Sequence, residues 1–253
     1  MTLSQSQSQP DSLPATAPAF PGGTAVSRLH VYDWAAADGL CGGSPHVHLA
    51  CTEAYVVVGG LGELHTLTAA GPARAELRPG TVAWFGPGTI HRAVNLDGAL
   101  QVVVVMQNSG LPEAGDAVLT FPPEVLADPE AYQRAAQVSS EADARRRRDL
   151  AIEGYLALGA ELAAGRTEAL ERFYQQAVAL RADRIDDWET VWREGSHAAT
   201  ERTADRLKAL REGRTDHRVD AMLRSEQPPE ADDRALGMCG RLDTYRLRPP
   251  VSS

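Results

Sequence analysis

The chain has 253 residues, of which 43% are hydrophobic and 23% charged, and its formal net charge is −9. That balance belongs to a soluble globular protein able to bury a real core, and it argues against wholesale disorder and against a membrane protein, since no apolar run approaches the ~20 residues that span a bilayer. An acidic surface also speaks against nucleic acid as the main partner, because phosphate contacts need basic side chains.

Three zones follow one another. Residues 1–23 are rich in Ser, Gln and Pro, hold no Lys or Arg, and lack the apolar core of a secretory signal; they read as a solvated, mobile tail. From Thr24 to Asn108 short apolar or alternating runs (TAVSRLHVYDW, SPHVHLA, EAYVVVGG, LGELHTL, TVAWF, HRAVNL, LQVVVVMQ) are cut by Gly and Pro, the texture of a β-sandwich or closed barrel. We place this domain at 24–112.

Beyond it, 113–253 reads as a mainly helical region. Asp128 before Pro129 is a helix start, and Ser140 with Asp143 approximates a capping box. Ala151, Tyr155, Leu158 and Leu162 then recur at helical spacing, followed by Gly165 as a stop, and Thr167 opens a helix carrying Leu170, Phe173, Ala177 and Leu180. Further helical stretches are expected around Trp188 to Trp192, Thr203 to Leu210 and Val219 to Leu223, while the closing RLDTYRLR fits either a helix end or a last strand. The run Arg145 to Arg148 lies between acidic residues and reads as a solvated helical face. No recognition helix of a DNA-binding type is visible. Cys41, Cys51 and Cys239 match neither a zinc ribbon nor a disulfide framework, which points to a reducing cytoplasm.

The chemistry is concentrated in two segments. In GGSPHVHLACTEAYVVVGG, His46 and His48 are two apart and share one face of a strand. Glu53 joins that face only if the chain bends at Ala50, Cys51 and Thr52, after which Glu53, Tyr55 and Val57 point the same way. In GTVAWFGPGTIHRAVN, the turn Gly86, Pro87, Gly88 delivers Thr89, His91, Ala93 and Asn95 to one face. Three imidazoles and a carboxylate suit one divalent transition ion (Fe, Mn, Ni, Zn, Co or Cu) and not calcium or magnesium, which prefer oxygen. Left unpaired inside a barrel, the same four groups would be costly to bury.

These segments resemble the two motifs of the cupin superfamily. The first, G-x5-H-x-H-x3,4-E-x6-G, is met by His46, His48, Glu53 and Gly60, with Leu40 at the opening glycine and Gly39 beside it. The second, G-x5-P-x-G-x2-H-x3-N, is met by Gly80, Gly88, His91 and Asn95, with Gly86 at the proline position and Pro87 next. The resemblance covers about 85 of 253 residues. It implies a mainly β fold, a double-stranded β-helix or jelly-roll barrel with a C-terminal helical extension, and His46, His48, Glu53 and His91 as metal ligands.

Around them Tyr55 is either a catalytic group or packing, Asn95 either supports the ligands or shapes a turn, and Trp84 with Val82 forms either core or pocket wall. Gln101 and Gln107 offer polar contacts if their face of the strand points inward. His30, His65, His197 and His217 are isolated, and no role is assigned to them. Four protein ligands leave about two positions on a six-coordinate ion, as in a catalytic rather than a structural site. The expected function is a metal-dependent enzyme, of oxygenase or isomerase/lyase type, acting on a small oxygenated metabolite such as a sugar derivative or a hydroxy or keto acid. The alternative is a non-catalytic binding or sensing module. Exposed sheet edges and apolar helix stripes suggest a homodimer.

Overall fold

A computed structural model describes residues 20–245; most of the expected N-terminal tail, 1–19, and the last residues, 246–253, lie outside it. Eleven strands among the described residues form two antiparallel sheets. One runs β10 (Ala235–Leu236), β11 (Gly240–Thr244), β1 (Ala25–Val31), β8 (Gln101–Met106), β3 (Glu53–Gly59), β6 (Val82–Phe85). The other runs β5 (Gly71–Leu77), β4 (Gly62–Thr68), β7 (Ile90–Asn95), β2 (His46–His48), β9 (Ala117–Leu119). Together they enclose a barrel, and the runs expected between 24 and 108 supply β1 to β8.

Side-chain parity sets what the barrel contains. On β3 and β8, Tyr55, Val57, Val102, Val104 and Met106 are buried, whereas Val56, Val103 and Val105 between them are partly exposed. The buried set packs with Leu29, Leu64, Leu77, Ala93 and Leu100 into the lumen core. On β7, by contrast, every residue is buried, because that strand is covered on both faces.

The second cover is helical. Helices α1 (Pro123–Leu126), α2 (Pro129–Ala136), α3 (Glu141–Ala163) and α4 (Glu168–Ala179) lie on the outer face of the five-stranded sheet. Val47, Leu67, Ile90 and Val118 of the sheet meet Leu126, Tyr132, Ala151, Leu158, Leu170, Phe173 and Ala177 there. Asp128 caps α2, accepting from the amides of Glu130 and Ala131. Ser140 caps α3 by accepting from the Asp143 amide, while the Asp143 carboxylate accepts from Ser139 and Ser140. Gly154 lets α3 approach closely, since a Cβ there would stand 2.1 Å from the Thr120 carbonyl oxygen.

Several sequence expectations change. Arg147 and Arg148 are buried rather than solvated: Arg148 donates to the carbonyls of Trp34 and Ala35, and Arg147 to that of Gly237. They satisfy loop carbonyls that would otherwise be buried without partners. Helices α5 (Ile185–Trp192) and α6 (Ala198–Arg211) fall where expected, joined by a π-helical turn at Arg193–His197. Residues 221–230 form no helix; only a 3-10 turn at Asp216–Asp220 precedes them. The segment RLDT is strand: β11 pairs with β1 from Ser27↔Thr244 to Val31↔Gly240. With β9, it brings chain from beyond residue 112 into the sheets.

Candidate metal centre

His46 and His91 are direct partners across β2 and β7, so their rings meet on the lumen side with centroids 4.3 Å apart. His48, two residues on, points the same way, and its ring centroid is 5.2 Å from that of His46. Glu53 opens β3 in register with Phe85 and Met106. The bend between His48 and Glu53 falls at 49–52, where no strand is formed. The turn at Gly86, Pro87 and Gly88 orients β7: Gly88 takes φ +83°, and its amide donates to the His48 carbonyl at 2.9 Å.

All four groups are buried, and one ligand atom from each lies within 4.8 Å of the others. The imidazoles are oriented from behind. Each Nδ1 faces an oxygen acceptor: the Ser44 carbonyl at 2.9 Å for His46, the Asp116 carboxylate at 3.1 Å for His48, and the Thr89 carbonyl at 3.0 Å for His91. A proton on Nδ1 satisfies each contact and leaves the Nε2 lone pair for the lumen. Nε2 of His91 and of His48 stand 3.0 and 3.3 Å from Glu53 Oε2. Even so, His91 Nε2 and Glu53 Oε2 are buried without a hydrogen bond of proper geometry. Donor atoms crowded together and lacking partners are what a shared cation would satisfy, so the residues present fit a divalent metal.

The electrostatics run in opposite directions on neighbouring groups. Burial, then the nearby His91 and His48 rings, holds His46 well below the ordinary histidine range. Burial also opposes charge on His48, but its bonds to Asp116 and the adjacent Glu53 carboxylate outweigh this and raise it to about 9. For Glu53, burial pushes upward and is overcome by His91 and His48, which keep the carboxyl well below its usual value. The centre is thus arranged around a retained carboxylate charge.

These observations decide the fold question, since both motif segments converge at one point inside a double-stranded β-helix. The domain is a double-stranded β-helix barrel.

Comparison with known proteins adds likenesses of limited reach. No protein-family model matches the chain, and no curated protein matches it. Among solved structures, it is similar to QdtA, a sugar 3,4-ketoisomerase from Thermoanaerobacterium thermosaccharolyticum in complex with TDP, at 12% identity over 37% of this chain and 64% of that one (TM-score 0.31). A conserved Klebsiella pneumoniae protein with a double-stranded β-helix domain is 22% identical over 34% of this chain and 67% of that one (TM-score 0.27). WlaRA, a TDP-fucose-3,4-ketoisomerase from Campylobacter jejuni, is 12% identical over 36% and 64% (TM-score 0.29). The chain therefore spans just under two thirds of the length of both ketoisomerases.

The other sequence candidates separate. Tyr55 is buried in the lumen, its ring centroid 6.4 Å from that of His91 and its hydroxyl within reach of Glu53 and Cys239. Asn95 is structural: its amide donates to the Val31 carbonyl at 3.0 Å and its oxygen accepts from the Leu100 amide at 3.2 Å. Trp84 and Val82 belong to neither core nor pocket wall. They are 73% and 55% exposed on the outer face, because Trp84 pairs with outward-facing Ala54 while Phe85 pairs with Glu53 and points in. Gln101 and Gln107 also face outward, accepting from Arg28 and from the Thr52 amide. His30 pairs with Asp243 at 3.0 Å, His65 is buried against Glu63 at 2.7 Å, and His197 stacks on Trp192.

Sequence reading missed two neighbours of the centre. Phe85 lies with its ring centroid 4.2 Å from that of His91, a position that alternation alone assigned to the opposite face. Asp116 follows Pro112 and Gly115 in a loop with no periodicity to signal it. All three cysteines are free thiols, and no helix among the described residues is long and apolar enough to cross a membrane.

Proposed function

We propose that this chain is a metal-dependent cupin enzyme acting on a small oxygenated metabolite, such as a sugar derivative or a hydroxy or keto acid, by isomerase/lyase or oxygenase chemistry. The observation that carries the reading is the buried convergence of His46, His48, Glu53 and His91, three of them held from behind with Nε2 turned inward. A divalent ion held there supplies Lewis acidity toward a bound oxygen ligand or, if redox-active, a means of using dioxygen.

The chain's own groups shape what such a site accepts. Phe85, beside His91, and Met106, paired with Glu53, make its surroundings apolar, which strengthens every charge interaction inside. Glu53 provides the single negative charge among the four ligands, so the loaded centre keeps a net positive charge and favours an anionic or oxygen-rich substrate. Tyr55 is positioned to donate a hydrogen bond beside Glu53. Burial keeps its hydroxyl un-ionised, with the Glu53 charge adding to that effect.

A second copy of the chain is the partner we assign to the outer face of the six-stranded sheet. There Trp84, Ala54, Val105 and Val26 form one cross-strand row and Val82, Val56, Val103 and Arg28 the next, with Arg28 the one charged side chain among them. On a chain of net charge −9, such a face allows two like-charged molecules to meet without repulsion. The compartment expected for three free thiols is the cytoplasm.

The test of the enzymatic reading pairs metal analysis with a metabolite screen. The metal-loaded chain should convert at least one sugar derivative or hydroxy or keto acid, and His48→Ala should lose both metal and turnover. Ligands that raise Tm yet emerge unchanged after long incubation would instead establish a binding module.

A further inference from the structure

We propose that Asp116 is a positioning residue for the centre: its carboxylate makes His48 the strongest imidazole donor and also fixes the bend that carries the chain from His48 to Glu53. This rests on the metal-binding reading above. Asp116 is completely buried. Its Oδ2 accepts from His48 Nδ1 at 3.1 Å, and its Oδ1 accepts from the amides of Leu49 and Ala50 at 3.0 and 2.8 Å.

The three imidazoles are therefore not equivalent. His46 and His91 lean on neutral backbone carbonyls, whereas His48 leans on a charged group. A carboxylate is the stronger acceptor; by drawing on the Nδ1 proton it raises the basicity of Nε2 and locks the ring's orientation and tautomer.

The two amides on the other oxygen explain how the bend is tolerated. Strand alternation alone would turn Glu53 away from His48, so pairing must be broken between them, and a buried N–H without a partner is costly. Asp116 supplies that partner. The carboxylate is itself fixed by its surroundings: its amide donates to the Leu111 carbonyl, Trp188 of α5 donates to the Ala114 carbonyl, and the next residue, Ala117, pairs with His48.

The test is zinc affinity by chelator competition on the full chain, comparing wild type with Asp116→Asn. The amide keeps the size and can still accept from Leu49 and Ala50. It then presents a donor to His48 Nδ1, favouring the tautomer whose proton sits on Nε2, where the metal should be. We expect zinc affinity to fall about 10–100-fold and the visible spectrum of the cobalt form to shift, while Tm of the metal-free chain stays near the wild-type value. A folded Asp116→Asn chain with zinc affinity within about twofold of wild type would overturn the proposal and leave the metal reading intact. Failure of the wild-type chain to bind zinc, cobalt or any other divalent transition ion would overturn both.

If Asp116→Asn does not fold, proton and nitrogen NMR of the zinc-loaded wild type decides instead. The Nδ1 proton of His48 should resonate furthest downfield of the three ligand imidazoles. Three equivalent shifts would overturn the role of Asp116.

Discussion

The two sheets of this barrel divide the centre unequally, and they are backed differently. The five-stranded sheet carries all three imidazoles on β2 and β7, and its outer face over β2, β4, β7 and β9 is covered by α1 to α4, leaving β5 exposed. The six-stranded sheet carries only Glu53, and its outer face exposes Val58, Val82 and Trp84. A strand packed on both sides has little freedom to shift, so the helical layer acts as a brace for the histidine strands. Among the described residues the carboxylate strand has no such brace, and a second copy would provide one.

This contrast can be broken at the site first. Replacing His91 by Ala removes the ligand directly opposite His46 and leaves Glu53 buried beside fewer partners, so bound metal should drop to background in elemental analysis; retention of a full equivalent would mean the ring is not a ligand. The brace comes next. Phe173→Ala empties a buried position in the helical layer, and chemical denaturation should show a loss of about 3–5 kcal/mol. An effect as small as that of a surface substitution would show that the layer does not support the barrel.

Gly154→Ala places a methyl against the Thr120 and Phe121 backbone, forcing α3 away from the sheet. The expected cost is about 1–3 kcal/mol, together with weaker metal binding if the brace holds β2 in place; unchanged Tm and metal affinity would argue against that coupling. The smallest stability effect belongs to the bare face. Trp84→Glu should change folding stability by no more than about 0.5 kcal/mol, yet convert a dimer to a monomer in sedimentation at micromolar concentration. A wild-type chain that sediments only as monomer would remove the second copy from the account.

The convergence of the four candidate ligands was legible in the sequence because it rests on short-range geometry: His46 and His48 share parity, and the Gly86, Pro87, Gly88 turn launches His91. Even the need for a bend before Glu53 could be read, though not what sustains it, since Asp116 arrives from 63 residues further on. Facing was harder. A run such as Gln101 to Met106 alternates equally well in either sense, and only pairing with β1 and β3 turns Val102, Val104 and Met106 inward. Trp84 was misplaced for the same reason, because the register Glu53↔Phe85 is a long-range fact. Arg147 and Arg148 looked solvated by composition, and the carbonyls that bury them belong to loops near residues 34 and 237.

The most direct measurement is elemental analysis of the untagged wild-type chain, purified without chelator and then titrated with iron, manganese, nickel, copper, cobalt and zinc. About one equivalent of a single divalent ion per chain is expected, lost on His48→Ala. A folded chain that neither carries nor takes up any of the six would contradict that expectation.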